Sequence, residues 1–88
     1  MDAETIKEIR VEILRYLYCN PVAAMPARAI CRAVKTALGE DQPEETIKQI
    51  AVKIAHGHVK AVEDDEMPGL SGYQITGEGI KHYERHHA

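Results

Sequence analysis

Residues 26–57 have the sequence PARAICRAVKTALGEDQPEETIKQIAVKIAHG, which predicts two helices separated by a short turn and so indicates the fold class. The first of these helices is predicted over 26–38, and its apolar residues recur every four positions, at Ile30, Val34 and Leu38. Gly39 is a natural C-cap, and a polar turn follows it. Pro43 suits the first turn of a helix, so we expect a further helix over about 43–57.

A longer amphipathic helix is predicted ahead of this stretch, over Asp2–Cys19. Its main apolar face comprises Ile6, Ile9, Ile13 and Leu17, at spacings of three and four. A second apolar stripe comprises Val11, Leu14 and Tyr18. A helix with two apolar stripes is either central in the core or shared with a partner. In the second case this stripe is exposed and, together with the last helix, is the candidate surface of a homodimer.

The remaining sequence predicts a hairpin and a final helix. Residues 22–25 are apolar and bounded by prolines, which favours a brief edge strand. Residues 58–63 and 71–76 are two strand candidates that would pair as an antiparallel hairpin. Thr76 is a good N-cap for a last helix over about 77–87, although two glycines lower the helix propensity at its start.

The composition is that of one small soluble domain over residues 1–88. The chain carries 11 Lys and Arg against 14 Asp and Glu, a formal net charge of −3, and 44% of its residues are hydrophobic. A domain of this length has a thin core and little room for an enclosed pocket, so we expect no enzyme and no cofactor. The sequence contains neither an apolar run long enough for a membrane span nor a signal peptide. The missing apolar run predicts no membrane association, and the two cysteines are expected to be reduced thiols of a cytoplasmic protein.

The residues at the end of the hairpin carry a resemblance to a known family. Tyr73, Ile75 and Thr76 match the aromatic-x-aliphatic-Thr pattern of a second wing strand, and Gly79 follows as a helix begins. Together with the order of elements, this resembles a winged helix-turn-helix domain of the small prokaryotic or phage regulator type, over nearly the whole chain. The resemblance implies a mostly α fold with a small antiparallel β-hairpin, in the order α-(β)-α-α-β-β-α.

The resemblance also implies a DNA-binding transcriptional regulator. In such proteins the third helix, here about 43–57, is the recognition helix and enters the major groove. The residues that map to this recognition surface are Thr46, Lys48, Gln49, Lys53 and His56. Gln can pair with adenine edges, and Lys with guanine edges or phosphates. The basic residues of the second helix that could anchor phosphates are Arg28, Arg32 and Lys35.

The distribution of acidic residues keeps an alternative open. Acids surround the start of the third helix, at Glu40, Asp41, Glu44 and Glu45, and a further acidic run occupies 63–66 at the wing. Phosphates repel carboxylates, so this pattern also fits a winged-helix protein–protein interaction module with no DNA affinity. A continuous positive face would favour DNA, and interruption by Glu44 and Glu45 would favour a protein partner.

The five histidines suggest a further hypothesis. They are His56, His58, His82, His86 and His87. His82 and His86 have the i, i+4 spacing that can chelate a metal on one helix face. A structural metal site normally needs about four ligands, and the sequence forces no other ligand into place. We therefore expect solvated histidines and no metal.

Overall fold

The described part of the chain is mostly helical and carries one small antiparallel sheet. A computed structural model describes residues 2–51, 57–62 and 72–87. The elements in chain order are α1 (Ala3–Cys19), α2 (Ala27–Leu38), α3 (Glu44–Gln49), β1 (Val59–Val62), β2 (Gly72–Ile75) and α4 (Gly77–His86). The predicted mostly α architecture with a β-hairpin is confirmed. Within these residues, no helix is long and apolar enough to cross a membrane.

The first helix begins and ends where its capping residues predict. The Oδ1 of Asp2 accepts a hydrogen bond from the Thr5 backbone N–H at 2.8 Å, which satisfies one of the free donors of the first turn. The same hydrogen bond lowers the pKa of the Asp2 carboxyl. At the other end, the Asn20 side chain donates to the Tyr16 carbonyl at 2.9 Å, and the following Pro21 cannot continue the helix.

The turn between α2 and α3 is set by a left-handed glycine. Gly39 has φ 76° and ψ 6°, and its backbone N–H donates to the Lys35 carbonyl at 2.8 Å. A side chain is strained in this conformation, which is why glycine ends the helix. The next helix, α3, begins after Pro43 as predicted, and Ile50 keeps helical dihedrals beyond its last residue. The rest of the predicted helix, 52–56, lies outside the described residues.

The hairpin forms where the sequence predicts it. β1 and β2 pair antiparallel, with Val59 opposite Ile75 and Val62 opposite Gly72. The expected edge strand at 22–25 is reduced to a single bridge, in which Met25 pairs with Tyr73. Pro26 follows Met25 and has no N–H to extend the ladder.

The core lies between α1 and the other elements. Its buried members are Ile9, Ile13, Leu14, Leu17, Ile30, Val34, Ile47, Ile50, Ala51, Val59, Ile75 and Tyr83. Leu14 has no exposed surface, so the expectation that it forms an exposed dimer stripe is wrong. The neighbouring Tyr18 is half-buried because its ring stacks on Tyr83 of α4, with the ring centroids 4.5 Å apart. The second apolar stripe of α1 is therefore not a free surface, because Leu14 is buried in this chain's own core and Tyr18 packs on α4.

The start of α4 combines a cap with a close backbone approach. The Thr76 hydroxyl accepts a hydrogen bond from the Gly79 N–H at 3.0 Å and donates to the Gly57 carbonyl at 2.7 Å. Gly79 is buried against the His58 carbonyl, and a Cβ there would collide with that oxygen. The low helix propensity of Gly79 is thus the cost of packing α4 closely against the chain that leads into β1.

Candidate nucleic-acid interface

The second helix presents a basic face to solvent. Arg28, Arg32 and Lys35 occupy positions i, i+4 and i+7 of α2, which places them on one side of the helix, and all three are exposed. The opposite side is buried through Ile30 and Val34. Among the residues that the structure describes, no acidic partner pairs with Arg28 or Arg32. Their side chains are exposed on this face of α2.

The polar residues of α3 divide into exposed and partly covered positions. Lys48 and Gln49 are exposed, whereas Thr46 is half-buried. The Nζ of Lys48 lies 3.6 Å from the Glu44 Oε1, one turn back on the same helix. The Nζ of Lys35 on α2 lies 3.3 Å from the Oδ2 of Asp41, which belongs to the turn before α3. Two of the predicted phosphate-binding lysines thus have acidic neighbours.

The basic face of α2 continues towards α3 at Cys31. Burial raises the pKa of the Cys31 thiol, and the nearby Glu44 carboxylate raises it further, while Lys48 opposes the shift. Glu44 and Lys48 therefore lie beside Cys31, which shares the outer side of α2 with Lys35 and Arg28. Cys31 therefore marks where α2 approaches Glu44 and Lys48 of α3. The thiol itself is free and half-buried.

Some of the predicted site lies outside the described residues. Lys53 and His56, from the second half of the predicted recognition helix, belong to this group, and so does the acidic run at 63–66. The interface that can be described therefore comprises α2 and the first turns of α3.

A groove beside Arg32 could not be found from the sequence. It has a volume of about 400 Å³ and is lined by Tyr16 of α1 and by Arg32, Ala29, Ala33, Thr36 and Ala37 of α2. The alanines leave this space open because their side chains are too short to fill the angle between the two helices. Small residues at helical spacing predict close packing, so the sequence alone contains no signal for a groove here.

Four histidines of the described residues lie close together, and two of them, His86 and His87, are exposed, as expected of solvated side chains. His58, His82, His86 and His87 form what we call the histidine cluster, in which neighbouring ring centroids are 4.4 Å to 6.2 Å apart. His58 and His82 are half-buried. In the part of the chain that the structure covers, no three His, Cys, Asp or Glu side chains are arranged to hold a metal ion.

Comparison with known proteins adds no family assignment to this geometry. No protein-family model matches the chain, and a significant match was found neither among curated proteins nor among solved structures.

Proposed function

We propose that this chain is a small winged helix-turn-helix DNA-binding protein that acts as a transcriptional regulator, with the third helix (about 43–57) as its recognition helix. The observation that carries the proposal is the exposed basic face of α2. Arg28 and Arg32 there have no acidic partner among the described residues, and Lys35 lies on the same side. Lys48 of α3 is close enough to Cys31 of α2 for its charge to act on the thiol, which supports a shared surface. Phosphate contacts from α2 would fix the register of α3 on the duplex.

The attachment of the hairpin supports the winged-helix assignment. Met25 exchanges two backbone hydrogen bonds with Tyr73, each 2.8 Å long, so the segment entering α2 is joined to β2. This bridge extends the β1–β2 hairpin at the edge where a short first strand of a winged helix would pair. It holds the hairpin against the start of α2, as a wing beside a helix-turn-helix unit requires.

The acidic neighbours weaken the basic face without removing it. The side chains in the Lys35–Asp41 and Lys48–Glu44 pairs are 46% to 79% exposed. Exposed ion pairs of this kind contribute at most about 1 kcal/mol, and salt screens them. A DNA phosphate can therefore displace either carboxylate from its lysine at small cost. Gln49 is exposed and could pair with an adenine edge.

The direct test is binding to a labelled mixed-sequence duplex, measured by fluorescence anisotropy over a series of salt concentrations. The double variant Arg28→Gln/Arg32→Gln should bind more weakly and reduce the magnitude of the salt slope by about 2, because two phosphate contacts are lost. The matched control is Lys81→Gln/Arg85→Gln, which removes the same charge from exposed positions of α4. Its salt slope should stay close to that of the unmodified chain.

The salt series also defines what would contradict the proposal. Every protein of this class has a non-specific affinity for phosphates at low salt. A complete lack of binding at low salt would overturn DNA binding, and an equal loss in both double variants would remove α2 from the interface. Sedimentation velocity with and without DNA tests the expected homodimer.

A protein–protein interaction module with no DNA affinity is the second candidate. It is favoured by the two ion pairs, because Glu44 and Asp41 interrupt the positive face where DNA would approach. Replacing Asp64, Asp65 and Glu66 by Lys separates the two functions. A DNA-binding wing should then hold DNA more tightly. An interaction module that docks through the acidic hairpin should instead lose its basic partner, with DNA binding absent before and after the change.

A further inference from the structure

The histidine cluster, together with the neighbouring Arg10, brings three elements of the fold into contact. His58 lies immediately before β1, whereas His82, His86 and His87 lie at the end of α4. The His58 and His82 rings are stacked, with centroids 4.4 Å apart and planes at 19°. The His82 and His86 centroids are 4.6 Å apart at 48°, and His87 lies 5.9 Å from His82. The His58–His82 stack joins α4 to the base of the hairpin, and His86 and His87 lie against His82 at the end of α4 itself.

The third element is α1, which contributes Arg10. Its Nη2 lies 3.0 Å from the Nδ1 of His58. A guanidinium can only donate hydrogen bonds, so Nδ1 must be the acceptor and carries no proton. This hydrogen bond selects the tautomer of His58 that carries its ring proton on Nε2. A proton on Nδ1 would remove the acceptor and place one cation directly against another.

The surroundings of the cluster also disfavour positive charge. Burial lowers the pKa of His82, and His58 and Arg10 are the next largest influences, ahead of His86 and His87. Burial likewise lowers the pKa of His87, followed by His86 and by the cations Arg10, Arg15 and Lys7 of α1. Each charged or titratable neighbour named here repels a protonated histidine. The hydroxyl-bearing ring of Tyr83 lies against His87, with centroids 5.6 Å apart.

We propose that the histidine cluster is an acid-sensitive latch, which holds α4 against α1 and the base of the hairpin at neutral pH and releases it on acidification. The stack of His58 on His82 and the Arg10–His58 hydrogen bond close the latch. Protonation adds cations to a site that already faces Arg10 and Lys7, so the rings separate. The latch is independent of DNA binding, because none of its residues belongs to the proposed interface.

The direction of the pH dependence follows from linkage. His82 and His87 have a folded-state pKa below the ordinary value of 6.5. Near and below pH 6.5 the unfolded chain therefore binds more protons than the folded chain. The free energy of unfolding consequently decreases as the pH decreases. The contribution of the cluster is fully present above pH 6.5 and is lost as the pH falls through the folded-state pKa.

Thermal unfolding followed by circular dichroism at pH 7.5 and pH 5 tests the latch. The variant His82→Phe keeps an aromatic ring for stacking but cannot take a proton. We expect the Tm of the unmodified chain to fall on acidification by about 4–8 °C more than that of His82→Phe. Lys81→Gln, at the adjacent exposed position, is the control and should keep the full pH dependence.

Two further measurements keep the inference open to contradiction if His82→Phe does not fold. An NMR titration of the unmodified chain should give His82 and His87 pKa values below 6.5, with the His58 proton on Nε2 at neutral pH. Values at or above 6.5, or equal pH dependence in His82→Phe and the unmodified chain, would overturn the latch. A rise in Tm on adding Zn²⁺ at neutral pH would overturn it in favour of a metal site. The His58 and His82 rings are stacked, so the lone pairs of their nitrogens lie in nearly parallel planes and do not converge on one ion. A metal site between them would require a ring to rotate.

Discussion

Met25 and Tyr73 exchange two backbone hydrogen bonds of 2.8 Å across 48 residues of sequence. This pair joins the segment that enters α2 to the second strand of the hairpin. Gly72, the neighbour of Tyr73, is buried here, and a Cβ on it would lie 3.0 Å from the Met25 carbonyl oxygen. The close backbone contact therefore sets where the hairpin stands relative to the helices, and with it the shape of the proposed DNA-binding surface.

Replacing Gly79 by Ala should destabilise the fold. The added Cβ would meet the His58 carbonyl oxygen and lie 2.8 Å from Cγ1 of Ile75. Overpacking of this kind costs about 1–3 kcal/mol in free energy of unfolding, which urea denaturation would measure. Gly77→Ala is the matched control, because its Cβ would meet nothing within 4 Å. It should leave stability unchanged or raise it by up to about 1 kcal/mol. Equal effects of the two substitutions would contradict the close packing of α4.

Removal of the Thr76 hydroxyl should loosen the start of α4. Thr76→Ala loses the hydrogen bond from the Gly79 N–H and the one to the Gly57 carbonyl. We expect a loss of about 1–2 kcal/mol, typical of an N-cap residue. Thr76→Ser keeps the hydroxyl and should stay within about 0.5 kcal/mol of the original chain. Chemical denaturation of both variants measures the difference, and an equally large loss in Thr76→Ser would show that the methyl group matters instead.

Truncation of Ile30 should test the core beneath the basic face of α2. Ile30 is fully buried, so Ile30→Ala is expected to cost about 2–5 kcal/mol, as both apolar burial and packing are lost. Val22 is 91% exposed, and Val22→Ala should therefore change stability by less than about 0.5 kcal/mol. Thermal unfolding of both variants distinguishes them. A mild effect at Ile30 would mean that α2 is not anchored through this side chain.

Release of Lys48 from its acidic neighbour should strengthen DNA binding. Glu44→Gln removes the carboxylate that lies 3.6 Å from the Lys48 Nζ. An exposed pair contributes about 0.2–1 kcal/mol, so the affinity should rise by roughly 1.4- to 5-fold in low salt. Fluorescence anisotropy with the same labelled duplex measures this change. The control is Glu84→Gln on α4, which removes one negative charge at another exposed position. If both variants bind equally well, only net charge matters and Lys48 has no particular role.

Local chemistry explains why most of the secondary structure could be predicted. Asp2, Gly39 and Thr76 act at helix ends through hydrogen bonds or backbone angles within a few residues of themselves. The alternation of apolar and polar residues in the two strands likewise follows from the local geometry of an extended backbone, in which successive side chains point to opposite faces. The basic face of α2 was predictable for the same reason, since helical spacing alone aligns Arg28, Arg32 and Lys35.

The helices, the strands, their order and the basic side of α2 follow from local sequence patterns, because they depend on residues separated by only a few positions. Tertiary structure alone decided that Leu14 is buried, that Gly79 packs on His58 and that four histidines gather beside Arg10. Each of these contacts joins segments far apart in the chain. Such contacts depend on how the helices pack, and no periodicity within one helix specifies what will cover its second face.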